Sequence, residues 1–144
     1  MRTIPTSDLA SRLRLDIARL ARRLRQEAGA DLSPSQTAAL ATIERHGPLT
    51  PSELAARESV RRPTVTRMLV RLDEAGLIER TADPADRRSS LLTVSDAGRD
   101  LLALARTRKD AYLARRLESL DADDRAVLDR AAAILERMLQ EGDE

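Results

Sequence analysis

The chain has 144 residues, of which 42% are apolar and only 1% aromatic, and its formal net charge is +1. One histidine, one tyrosine and no cysteine, phenylalanine or tryptophan exclude disulfides, thiolate or histidine-cluster metal sites, and base stacking on aromatic platforms. No apolar run approaches the roughly 18–20 residues that cross a bilayer, so one compact cytoplasmic domain with an aliphatic core and no cofactor is expected.

The start, "LASRLRLDIARLARRLR", has the arginine content of an organelle transit peptide, but Asp8, Asp16 and Glu27 interrupt it. Leu9, Leu13, Ile17, Leu20 and Leu24 recur at helical steps, predicting a first helix from about Ser7, its N-cap, to Ala28, with Gly29 as the stop. "SPSQ" at Ser33–Gln36 and "TPSE" at Thr50–Glu53 both read as capping boxes with Pro at the first helical position. Leu49 and Leu54 have the spacing of a hydrophobic staple, and "HGPL" separates the two segments. Helices over about 34–46 and 51–57 follow. A fourth, about Arg61 to Ala75, places Val65, Met68, Leu69 and Leu72 on one side, and Pro63, Thr66, Arg67, Val70, Arg71 and Glu74 on the other. Gly76 stops it.

Two β-like runs, 77–82 and 90–94, flank "DPADRRSS", a hairpin with a charged tip. Helix resumes from Ser95 to about Glu118. "LDADDR" then caps a last helix with acids in its first turn and an apolar face of Val127, Leu128, Ala131, Ile134, Leu135, Met138 and Leu139. The two ends of the chain differ in charge. Residues 1–30 carry seven arginines against three acids, and residues 118–144 carry three arginines against nine acids.

Three helices and a hairpin, with a short helix before a longer one, is the order of a winged helix-turn-helix. Such a fold sends the fourth helix into the DNA major groove. From Ser59 to Leu72 there are four arginines, Arg61, Arg62, Arg67 and Arg71, and no acid. Guanidinium groups pair with guanine or clamp phosphates, and Thr64 and Thr66 meet phosphate or a thymine methyl. Arginines alone also describe a solvated helix face. The hairpin favours DNA, because Arg87 and Arg88 near its tip add a second cationic element narrow enough for a minor groove. Asp83 and Asp86 are expected to shape this turn through side-chain to backbone bonds, one of them orienting an arginine.

The stretch "DPADRRSSLLTVSDAG" resembles the wing of the MarR family of transcriptional regulators, with an Asp-x-Arg at Asp86 and Arg88, then Leu-Thr, then a Gly. "TPSELAARESVRRPTVTRMLVRLDEAGLIER" resembles that family's helix-turn-helix, and the likeness spans essentially the whole chain. It implies a mainly α fold with a small β-hairpin wing, flanked by N- and C-terminal dimerisation helices. Residues 1–30 would be the first of these, 31–98 the DNA-binding lobe with its wing at 77–94, and 99–144 the last two helices.

The resemblance also implies an obligate homodimer whose first and last helices interlock. Residues near Leu13, Ile17, Leu20, Leu128, Leu135 and Met138 are the candidates, since both terminal stripes are longer than one small domain needs. Two recognition helices would then meet a pseudo-palindromic operator in double-stranded DNA, repression being the outcome the resemblance implies. A small, aromatic or anionic effector would sit between dimer helices and lobe, with His46, Arg108 and Tyr112 as candidate contacts. Against an enzyme stand the missing nucleophile, second base, phosphate loop and histidine cluster. The rival reading is a winged-helix protein-interaction module. The regulator with thiolate metal sites, the ArsR type, fits less well.

Overall fold

A computed structural model describes residues 3–29 and 31–141. In chain order the elements are α1 (Thr6–Ala28), α2 (Pro34–His46), α3 (Pro51–Glu58), α4 (Arg62–Glu74), β1 (Ile78–Ala82), β2 (Ser90–Val94), α5 (Asp96–Glu118) and α6 (Ala122–Gln140). The mainly helical class with one antiparallel hairpin is as expected from the sequence.

Local chemistry sets most boundaries. Ser33 Oγ accepts from Gln36 N at 3.2 Å while Gln36 Oε1 accepts from Ser33 N at 3.0 Å, a complete capping box. At Thr50 only the forward half forms, with Thr50 Oγ1 accepting from Glu53 N at 3.1 Å. The start of α1 differs from the sequence reading. Ser7 lies inside the helix, and Pro5 is the cap, its carbonyl accepting from Asp8 N and Leu9 N, both at 3.1 Å. Helix α4 ends in a Schellman motif. Gly76, at φ +69°, donates to Asp73 O, and Leu77 N donates to Leu72 O, each at 3.0 Å.

The core belongs to the central lobe. Leu40 and Ile43 of α2, Leu54 of α3, Val65, Leu69 and Leu72 of α4 and Leu92 of β2 are fully buried, each side chain contributing about 1.5–3 kcal/mol relative to exposure. Leu102, with Leu101 packed beside it, brings α5 onto the same core. The hairpin is registered Ile78↔Val94 through Ala82↔Ser90. Leu49, outside either strand, pairs with Leu92 through bonds of 3.1 and 2.7 Å, so the entry to α3 is stitched to the wing.

The terminal helices differ sharply from this. Helix α1 packs along α5, yet Ala28 is its only buried residue among those described. Helix α6 buries none. Leu9, Leu13, Ile17, Leu20, Val127, Leu128, Ile134, Met138 and Leu139 all remain exposed in the single chain. Leu9, Leu13, Ile134, Leu135 and Met138 line an apolar groove of about 440 Å³ between α1 and α6.

Candidate nucleic-acid interface

The turn between α3 and α4 is compact because Ser59 takes a left-handed conformation, φ +54°. Val60 N then reaches back to Ala55 O at 3.0 Å. Arg61 follows as the cap of α4 with no side-chain capping bond, and the first turn carries no acid. Partial positive charge at this helix start is therefore left uncompensated by the chain itself.

Val65, Met68, Leu69 and Leu72 face the core, which leaves Arg61, Arg62, Pro63, Thr66, Arg67, Val70 and Arg71 exposed and Thr64 half-buried. Arg62 Nη1 donates to Ser52 Oγ of α3 at 2.9 Å. Thr66 Oγ1 donates to Arg62 O at 3.0 Å, and Arg67 Nη2 approaches Thr64 Oγ1 at 3.5 Å. Among the described residues none of the four α4 arginines is in an ion pair with an acid. Their charge is available to an external anion.

At the hairpin tip two side-chain turns succeed one another. Asp83 Oδ1 accepts from Ala85 N, and Asp86 Oδ1 accepts from Arg88 N, both at 2.9 Å. Asp86 thus holds the backbone of Arg88, and among the described residues its carboxylate is in no ion pair with an arginine. Arg87 and Arg88 are exposed and, among the described residues, in no ion pair.

The foot of the wing is held more firmly. Ser95 Oγ donates to Gly76 O at 2.6 Å and accepts from Gly98 N at 3.1 Å, while Ser95 N donates to Leu77 O at 3.0 Å. A Cβ at Gly98 would collide with Leu77 O, so α5 can approach this closely only with glycine there. Arg99 bridges Val94 O at 3.1 Å and Asp96 Oδ1 at 2.6 Å. The hydrogen bond to Asp96 raises its pKa above the ordinary arginine value.

One contact has no counterpart in the sequence reading. Arg80 of β1 donates from Nη2 to Asp73 Oδ2 at 2.6 Å and from Nε to the same oxygen at 3.1 Å. The signal was present in two periodicities. Arg80 lies on the same side of β1 as Ile78 at period two, and Asp73 lies one turn beyond Leu69.

The three candidate effector contacts line three separate depressions, although Tyr112 lies one turn from Arg108 on the same face of α5. Arg108 lines an open cleft of about 300 Å³ with Ala28, Gly29, Leu32, Ala75, Leu77 and Leu104, and its Nη1 donates to Ala28 O at 3.1 Å. Tyr112 instead sits between Arg23 and Arg116, each guanidinium 5.3 Å from the ring centroid. His46 is exposed in a separate depression with Ala41, Thr42 and Arg45. It ends α2, about 18 Å along that helix from its start at 1.5 Å per residue, and its depression shares no lining residue with the Arg108 cleft.

A buried three-helix lobe, an arginine-bearing helix and a hairpin at its exit define a winged helix-turn-helix protein. Residues 32–90 match the family model described as "MarR family". The chain is 39% identical over 134 residues to an HTH-type transcriptional regulator of Mycobacterium leprae, covering 92% of this chain and 94% of that protein. It is 34% identical over 93 residues to the HTH-type transcriptional repressor MdtR of Bacillus subtilis, covering 65% of this chain and 60% of the repressor. A crystal structure of a transcriptional regulator protein from Pseudomonas aeruginosa superposes with a TM-score of 0.85 at 39% identity, over 96% of this chain and 99% of that one. The chain belongs to the MarR family and is a DNA-binding transcriptional regulator.

Proposed function

We propose that this regulator is a homodimeric repressor that reads a pseudo-palindromic operator. The observation that carries the reading is the open face of α4, where Arg61, Arg62, Arg67 and Arg71 stand without an acidic partner among the described residues. Arg61, Arg62, Pro63, Thr64, Thr66, Arg67 and Arg71 supply major-groove and nearby phosphate contacts, and Arg87 and Arg88 reach a minor groove or its phosphates. Asp83 and Asp86 shape the wing that presents them. Repression is favoured by the likeness to MdtR, itself an HTH-type transcriptional repressor.

Dimerisation is supported by the exposed apolar stripes of α1 and α6, which a second copy would bury isologously. Two lobes then meet half-sites about one helical turn apart. A small anionic effector fits the cleft at Arg108, whose lining is apolar apart from that guanidinium and Asp31. Selection of random duplex DNA on the purified protein, with enriched sequences retested across a salt series, tests the central claim. An inverted repeat bound with a steep salt dependence supports it. Enrichment of no sequence would leave only non-specific binding and refute the operator reading.

A further inference from the structure

We propose that the Asp73–Arg80 pair is a positioning element that fixes the tilt of the wing against the recognition helix. This rests on the DNA-binding reading above. Arg80 pairs across the hairpin with Leu92, and Leu92 is the residue that Leu49 holds through two backbone bonds of 3.1 and 2.7 Å. At this one level the wing is therefore gripped from both edges. Leu49 holds β2, and Asp73, in the last turn of α4, holds β1 by two bonds of 2.6 and 3.1 Å to one carboxylate oxygen.

Beyond that level the ladder continues only to Ala82 and Ser90, and Thr81, Ala82 and residues 84–88 are exposed. The arm from Arg80 to the tip is about four residues, roughly 13 Å at 3.3 Å per residue. A tilt of about 10° at its base moves Arg88 by about 2 Å, more than the spread of hydrogen-bond lengths. Two donors of a planar guanidinium on one carboxylate restrain direction as well as distance. Neither side chain needs to touch DNA for binding to depend on the pair.

The sign of one substitution separates this role from simple electrostatics. Asp73→Asn removes a negative charge beside a DNA-binding helix, so charge alone would raise affinity. The positioning role lowers it. The pair is partly exposed, with side-chain exposures of 40% and 39%, and can bias the wing by no more than its own strength. The expected loss is about three- to fivefold.

The experiment measures affinity for the selected duplex, and hydrogen exchange of wing amides in the free protein, for native, Asp73→Asn, Asp73→Glu, Arg88→Ala and the Asp73→Asn/Arg88→Ala double variant. Faster exchange over residues 80–92, the three- to fivefold loss, its recovery in Asp73→Glu and its disappearance in the Arg88→Ala background support the proposal. Unchanged or raised affinity in Asp73→Asn overturns it, as does a loss that persists in full without Arg88. A native protein that binds no duplex refutes the DNA reading and this inference together, whereas native binding with an indifferent Asp73→Asn refutes the inference alone.

Discussion

Leu128→Glu should convert the proposed dimer into a monomer without unfolding the lobe. In the single chain Leu128 is 46% exposed and α6 buries no residue, so the lobe core does not depend on this side chain. About half of its surface is still available to a partner, and full burial of a leucine is worth about 1.5–3 kcal/mol, leaving about 1 kcal/mol to be gained per protomer. A carboxylate forced into the same place adds about 2 kcal/mol or more of desolvation. Twofold symmetry applies both terms twice. The sum is about 6 kcal/mol, roughly four powers of ten in the dimer dissociation constant. Leu128→Ala, which lacks the charge, should cost only about 2 kcal/mol, close to thirtyfold. Sedimentation velocity over a wide loading range measures both, with circular dichroism to establish that helix content is kept. If Leu128→Glu sediments as the native protein does, the α6 stripe is not the dimer interface and the reasoning from exposed apolar surface fails.

Arg88→Ala should weaken binding to every duplex and reduce the slope of log affinity against log salt by about one; an unchanged slope would remove Arg88 from the phosphate contacts. Ser95→Ala loses the cap of α5 and leaves the Gly76 carbonyl without its 2.6 Å donor, a cost of about 2 kcal/mol read as a lower urea midpoint at constant m. A midpoint equal to native would show that water replaces both bonds. Benzoate, a small aromatic anion, should weaken operator binding by the native protein and have no effect on Arg108→Ala. An equal response from both would place the effector elsewhere.

What the sequence made legible is what short-range chemistry decides. The Ser33 box, the buried face of α4 and the Gly76 stop each depend on residues within about one or two helical turns. The departures at the helix starts have the same local origin. At α1, Pro5 with its fixed φ could begin the helix ahead of Ser7, and at Thr50 the Glu53 side chain does not complete the box. Contacts between distant segments were not legible. Asp73–Arg80 needs the angle between α4 and β1, the Leu49–Leu92 bridge needs the path of the chain after α2, and the separation of His46 from Arg108 needs the packing of α2 against α5. Residue types said which groups were able to act. Only the packing said which of them meet.

That packing gives the Arg108 cleft a particular place in the molecule. Its lining includes Ala28 and Gly29 at the end of α1, Ala75 at the end of α4, Leu77 at the foot of the wing and Leu104 of α5. One guanidinium crosses it, since Arg108 Nη1 on α5 donates to Ala28 O at 3.1 Å. Gly29, at φ +67°, leaves room for that guanidinium, for a Cβ there would stand 2.7 Å from Nη1. The helix with the exposed apolar stripe is thus tied to α5 at the point where α4 hands over to the wing. An anion bound in the cleft, as proposed, would compete with a carbonyl oxygen for the same cation, and a charged acceptor forms the stronger bond. Drawing Arg108 from Ala28 would loosen α1 from α5 beside Ala75 and Leu77. The affinity of the anion can alter DNA binding only by its difference between the tied and loosened states. Arg108 is the group in the cleft whose partner would change between those states, which is why its removal, more than any change in the apolar lining, is expected to uncouple the anion from DNA.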